Sequence, residues 1–210
     1  MSETAESLVA AHDELWPEIA GHPFVLATGS GDLPGEAFGR WLVAEHWLLA
    51  GTRRLLGGLV LAAPDEYARD VVASAFDPVQ VALDLFRHEA AIRALDLDDE
   101  PGPVTLGYTA YLLSTLHDGF EVALSALYAA EKARLDAWTA VRKQADATSP
   151  YRHFIDAWSS PAYKAWVATL DDLLGRVAVS GPSGGMYSAF GRVTRFEIDL
   201  WDAVHTGEGW

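Results

Sequence analysis

The chain has no cysteine. That single absence excludes disulfides, thiolate nucleophiles and cysteine-ligated metal sites. It also lacks any run of about 18 uninterrupted apolar residues, so the sequence offers no segment to span a bilayer. The stretch from Met1 to Trp16 lacks the basic and apolar regions of a signal peptide. A cytoplasmic location is the expectation. Basic residues are scarce, with 15 Lys and Arg against 30 Asp and Glu and a net charge of −15. Binding to nucleic acid through phosphate neutralisation needs the opposite sign, and no basic recognition helix is present, so nucleic acid is not an expected partner. What the chain does have is apolar material. Half of its 210 residues are hydrophobic, which supplies a sizeable core and fits one domain over residues 1–210.

The periodicity is helical nearly throughout. Apolar residues recur at three- and four-residue spacing, and few runs alternate with period two. A first helix is expected from Ser2 to about Gly21–Pro23, then a turn at Ser30–Pro34. A long helix follows from Gly35 to Leu61, stopped by Pro64. The next, from Asp65 to Leu95, carries Pro78 and is expected to kink or break there. Asp96 to Pro103 reads as an acidic loop. Further helices are expected at about Val104–Leu116, Gly119–Ala147, Pro150–Trp158, Pro161–Val179 and Ser183–Val204. The short connections imply mostly antiparallel neighbours, an all-α bundle.

The informative residues are acids on apolar faces. Glu45 lies on the stripe of Phe38, Trp41/Leu42 and Leu48/Leu49. Glu131 continues the stripe of Leu124, Leu127 and Tyr128 toward Leu135 and Trp138. Glu197 sits between Val193/Thr194 and Leu200/Trp201. A buried carboxylate is costly unless paired or hydrogen-bonded. Any one of them is ordinarily satisfied by an Arg, a Tyr or a Trp N–H. Three on three helices point to one shared interior cleft, where burial and like charge would raise at least one pKa toward neutrality. His88 also reads as inward, on the stripe Val81, Leu85, His88 and Ile92. Tyr108, Tyr111/Leu112 and Thr115 form another stripe. The eight Trp residues suit core packing or the walls of an aromatic pocket.

The order of these segments resembles the TenA / thiaminase II family over almost the whole chain. His22-Pro23-Phe24-Val25, Gly31-Asp32-Leu33-Pro34 and Phe38-x-x-Trp41-Leu42 are similar to its opening. Ala44-Glu45 falls where that family has Gln-Asp. Gly107-Tyr108-Thr109-x-Tyr111-Leu112 resembles its "AYT.YL" helix. Phe196-Glu197, Asp199-Leu200-Trp201-Asp202 and the ending Gly207-Glu208-Gly209-Trp210 resemble its C-terminal helix. Counting from Tyr108, Glu131 stands where most members have a nucleophilic cysteine, as in the subgroup called TenA_E. That subgroup commonly has Tyr three residues later; here Arg134 stands there.

The resemblance implies a haem-oxygenase-like, TenA-like helical bundle, a homodimer or homotetramer, no cofactor and a small pyrimidine substrate. It implies hydrolysis of amino- or formylamino-methylpyrimidines in thiamin salvage. Glu45 would grip the ring's amidine-like edge, and Tyr108 would orient the ring or the leaving group. Glu131 and Glu197 would share the proton work, which suits carboxylates better than nucleophilic attack on a heteroaromatic carbon. Trp41, Trp47, Trp158 and Phe196 would wall the site. Two other readings stand beside this one. Asp84-x-x-x-His88 and Asp202-x-x-His205, added to the three glutamates, supply the ligand types of a non-haem di-iron oxidase. Arg134 and Ala44-Glu45 suit a non-catalytic binder of small aromatics.

Overall fold

The computed structural model describes residues 1–207. All regular structure among them is helical. The α-helices are α1 (Glu3–Ala10), α2 (Trp16–Gly21), α3 (Pro23–Ser30), α4 (Gly35–Ala62), α5 (Glu66–Ala73), α6 (Phe76–Ile92), α7 (Pro103–Ser114), α8 (Phe120–Arg142), α9 (Arg152–Trp158), α10 (Pro161–Val177) and α11 (Gly184–Thr206). Short 3-10 turns precede α2 and follow α7. No described helix is long and apolar enough to cross a membrane. The ending Glu208-Gly209-Trp210 lies outside the described residues.

Local chemistry sets the helix ends. Ser2, Asp65, Ser160 and Ser183 each cap a helix by accepting from a backbone N–H of the first turn. The sequence reading ends one helix at Gly21–Pro23, but the chain starts another there. His22 Nδ1 accepts from the Phe24 N–H, and Pro23 takes the first helical position, where its missing N–H has no partner to lose. The break expected at Pro78 falls at Ser74–Ala75 instead. Pro78 then sits in the first turn of α6, which tolerates it for the same reason. The loop from Arg93 to Gly102 matches the expected acidic connection closely.

α8 is the central strut. Every residue from Ala123 to Glu131 is buried, and α11, α10, α9, α4 and α2 surround it. A helix buried on all sides needs small residues wherever its neighbours come close. Ala123, Ala126, Ala129, Ala130, Ala133 and Ala137 supply them. α4 packs on α7 by the same device. A Cβ placed on Gly51 would lie 2.6 Å from Thr109 Cγ2, and one on Gly58 would lie 2.4 Å from Leu116 Cδ1.

One sequence expectation is reversed. On α6 the stripe Val81, His88, Ile92 is exposed, and the buried face is Leu83, Phe86, Glu89 and Ala90. Val81 and Leu85 are apolar because they wall an open cavity described below, not because they face the core. Glu89 is the buried acid of this helix, matched by Arg93 and His153.

The close α4–α7 approach predicts opposite outcomes for two glycines of one helix. Gly51→Ala gains helix propensity of about 1 kcal/mol. It must also push aside a stiff β-branched neighbour, at about 1–3 kcal/mol. A net loss of stability near ~1 kcal/mol is expected. Gly57→Ala meets nothing within 4 Å and is expected to gain about 0.5–1 kcal/mol. Urea denaturation of both variants checks this; stabilisation by both would remove the steric constraint.

Candidate active site

The three carboxylates singled out from periodicity meet at one side chain. Glu45 comes from the middle of α4, Glu131 from α8 and Glu197 from α11. Between them lies the guanidinium of Arg134, one turn beyond Glu131 on α8. Arg134 Nη2 is 3.0 Å from Glu197 Oε1 and 3.3 Å from Glu45 Oε1. Arg134 Nη1 is 3.6 Å from Glu131 Oε1. All four residues are buried. From α7, the Tyr108 hydroxyl donates to Glu197 Oε1 at 2.6 Å. From α10, the Trp166 indole N–H donates to Glu131 Oε2 at 3.2 Å, and the Tyr163 ring stands beside that carboxylate.

The contacts to Arg134 are ionic rather than directed. None of its N–H groups lines up with a carboxylate oxygen well enough for a hydrogen bond, and its Nε and Nη2 are without a partner. Glu45 Oε1 and Glu197 Oε2 are buried without a hydrogen-bond partner too, and the Tyr163 hydroxyl has only Glu131 beside it. Native interiors hold few such groups, and clusters of them mark places where something else binds.

One cation cannot balance three buried carboxylates. Burial pushes the Glu197 carboxyl up to about 7; Arg134 pulls it down, and Glu45 adds to the rise. Glu45 is raised as well, by burial first and by Glu131 after Arg134's opposing pull. Burial works against the charge on Arg134, yet Glu197 and Glu45 hold it protonated, well above its ordinary value. The Tyr108 phenol is raised far by burial and by Glu197, so it remains a donor. Near neutral pH the cluster therefore stays short of full ionisation, with Glu197 as the member that exchanges a proton there.

Glu131 and Arg134 open onto a cavity of about 790 Å³. Its walls are Leu49 and Leu56 of α4, Leu85 of α6, and Trp158, Tyr163 and Trp166 of α9 and α10. Glu45, Glu197 and Tyr108 do not line it; they stand behind the guanidinium. The aromatics named from sequence separate likewise. Trp158 lines the cavity. Trp41 is packed among Phe24, Phe38, Phe86 and Phe154, behind Trp158. The Trp47 indole N–H donates to the Leu97 carbonyl, pinning the acidic loop. Phe196 stacks on Tyr108, with ring centres 5.2 Å apart and planes at 4°, and so buttresses the phenol from outside. Tyr163 and Trp166 were missed, although Tyr163-x-x-Trp166 has helical spacing on one face.

The ligand pairs of the di-iron reading do not face this cluster. His88 is exposed, and Asp84 turns outward to Arg87 and Gln80. Asp202 reaches back to His22. Among the described residues, no group of three or more His, Asp or Glu side chains is arranged to hold a metal ion.

A family model described as the TENA/THI-4/PQQC family matches residues 9–206. No curated protein matches the chain. Among solved structures, a TenA homologue from Pyrococcus furiosus is 26% identical, with a TM-score of 0.91 over 96% of this chain and 99% of that one. A TenA family transcription regulator from Silicibacter sp. TM1040 is 19% identical, with a TM-score of 0.88 over 98% and 97%. A putative TenA-like thiaminase from Sulfolobus solfataricus is 18% identical, with a TM-score of 0.83 over 100% and 99%. At such identities the last two speak to the fold alone.

The raised Glu197 carboxyl predicts a pH dependence of stability. The unfolded chain releases this proton near the ordinary glutamate value and the folded protein near 7. Between those limits the folded state binds more protons, so stability falls as pH rises. Urea unfolding at pH 5 and pH 8 is expected to show wild type losing roughly 2–3 kcal/mol relative to Glu197→Gln over that interval. Parallel pH slopes for the two proteins would contradict the shift.

Proposed function

The chain belongs to the TENA/THI-4/PQQC family and has its all-helical TenA-like fold; from that premise we propose that it hydrolyses an exocyclic carbon–nitrogen bond on a flat nitrogen heterocycle, of the amino- or formylamino-methylpyrimidine kind that thiamin breakdown yields. The reading rests on one observation above all. Three carboxylates share one guanidinium in a buried cluster, and one of them, Glu131, faces an aromatic-walled cavity.

The roles follow from position. Glu131 is the carboxylate that a ligand can reach, and Trp166 and Arg134 fix its two oxygens. It takes a proton from water as the water attacks. Glu197 keeps the cluster's proton at neutral pH, and Tyr108 orients it. The ring lies against Trp158, Trp166 and Tyr163. Glu45 pairs with Arg134, so it acts on the ring edge only through the guanidinium. A homodimer or homotetramer remains part of this proposal, open to sedimentation analysis.

Two measurements test the reading. Glu131→Gln is expected to lower kcat on aminomethyl- or formylaminomethyl-pyrimidine by about 10²–10⁴-fold, the usual worth of a positioned general base. The wild-type kcat is expected to fall as pH rises through about 7, where Glu197 loses its proton, and Glu197→Gln is expected to abolish that limb. Wild-type turnover by Glu131→Gln refutes the assignment. Tight binding without any turnover by wild type would make the protein a carrier.

A further inference from the structure

The cavity is far larger and more apolar than one substituted pyrimidine requires. Its 790 Å³ falls within the range of about 300–1,000 Å³ that takes drug-sized ligands. Its walls are of two kinds. Trp158, Tyr163 and Trp166 form an aromatic side, which the heterocycle occupies. Leu49, Leu56 and Leu127 of α4 and α8 are aliphatic and themselves buried, and Val79, Ala82 and Leu85 of α6 are aliphatic and partly open. A ring seated on the aromatic side leaves Val79, Ala82 and Leu85 uncovered. α6 also holds Val81 outward at the cavity mouth, 69% exposed. Within a concave cavity, these apolar residues are open to an apolar group of a ligand.

The polar end constrains the ligand further. Only Asp77, Glu131 and Arg134 bring charge to the lining. A carboxylate or phosphate head on the ligand would sit against Glu131, because Glu131 is 3.6 Å from the one cation there. Two anions that close repel strongly in a dry site. A neutral acceptor suits the place better, since a carbonyl oxygen can take an N–H from Arg134 while Glu131 holds the water. The Tyr163 hydroxyl is buried beside Glu131 and stands at the same end of the cavity as a second donor group.

We infer that the preferred substrate is a neutral N-acyl amide of the heterocyclic amine whose acyl group is an aliphatic chain longer than formyl, its carbonyl on Arg134 and its chain along Val79, Ala82 and Leu85. This deepens the hydrolase reading and rests on it. Water adds to the carbonyl carbon as Glu131 takes one of its protons. The guanidinium and the Tyr163 hydroxyl carry the charge that develops on the oxygen. The carbon–nitrogen bond then breaks, and the proton on Glu131 passes to the departing nitrogen. One amide and one water give one carboxylic acid and one amine.

The test is a series of amides of one aminomethylpyrimidine, with formyl, acetyl, butanoyl, hexanoyl and octanoyl groups, assayed with the free amine alongside. Each buried methylene is worth about 0.8 kcal/mol, so kcat/KM is expected to rise about fourfold per carbon until the cavity is full. Ala82→Trp, which fills the aliphatic side, is expected to flatten that dependence. Arg134→Gln is expected to lower kcat on the amides by about 10²-fold or more, as loss of an oxyanion donor does, and to lower turnover of the free amine less. A flat series, or one with formyl best, overturns the inference and leaves the hydrolase reading standing. Wild type inert toward every amide and the amine overturns both. Equal loss on amide and amine in Arg134→Gln removes the carbonyl contact.

Discussion

A single buried guanidinium organises the centre of this protein. Three helices each bring a carboxylate to Arg134, and a fourth brings a phenol to one of those carboxylates. Such clusters are poor devices for stability. The cost of desolvating four ionisable groups consumes most of what their attraction returns, and apolar residues of equal volume often do better. Their retention in the middle of a well-packed core therefore asks for another reason. What sets this one apart is its proton balance. With two of the carboxyls raised by burial and only one cation among them, the cluster stays short of full ionisation near neutral pH.

The architecture serves this arrangement. α8 must be buried along its middle to carry Glu131 and Arg134 to the centre, and its alanines allow the surrounding helices to close around it. α4 must run close to α7 so that Glu45 and Tyr108 approach the same guanidinium, and its glycines permit that. The aromatic packing of Trp41, Phe86, Phe154 and Trp158 forms a rigid floor beneath the cavity. Cavity walls and ionisable cluster thus come from different layers, with Glu131 and Arg134 at the seam.

Much of this was legible in the residues. Helical period alone placed Glu45, Glu131 and Glu197 inward, since a charge at three- and four-residue spacing from Leu and Trp leaves little choice of face. The order of helices followed from proline, glycine and serine punctuation. What period could not give was reach. Arg134 was visible as an odd residue, but a side chain with four rotatable bonds can end in solvent or in the core, and spacing does not decide which. The phase of α6 was misread for a related reason. Apolar residues that wall an open cavity look, in sequence, like residues that face a core, so His88 was turned inward with Val81 and Leu85. Trp47 was misplaced because its partner is a loop carbonyl, and a loop path leaves no periodic trace.

The missing cysteine has a final bearing on the chemistry. Arg134, the three glutamates and Tyr108 contain no sulfur, and of the chain's two methionines Met186 is wholly buried on α11. Peroxide and thiol alkylators, which silence enzymes built around a thiolate, find no such atom in this cluster. Carboxylates are chemically inert where a thiolate is not, and proton concentration, rather than redox poise, is the solution variable that changes the charge of this cluster.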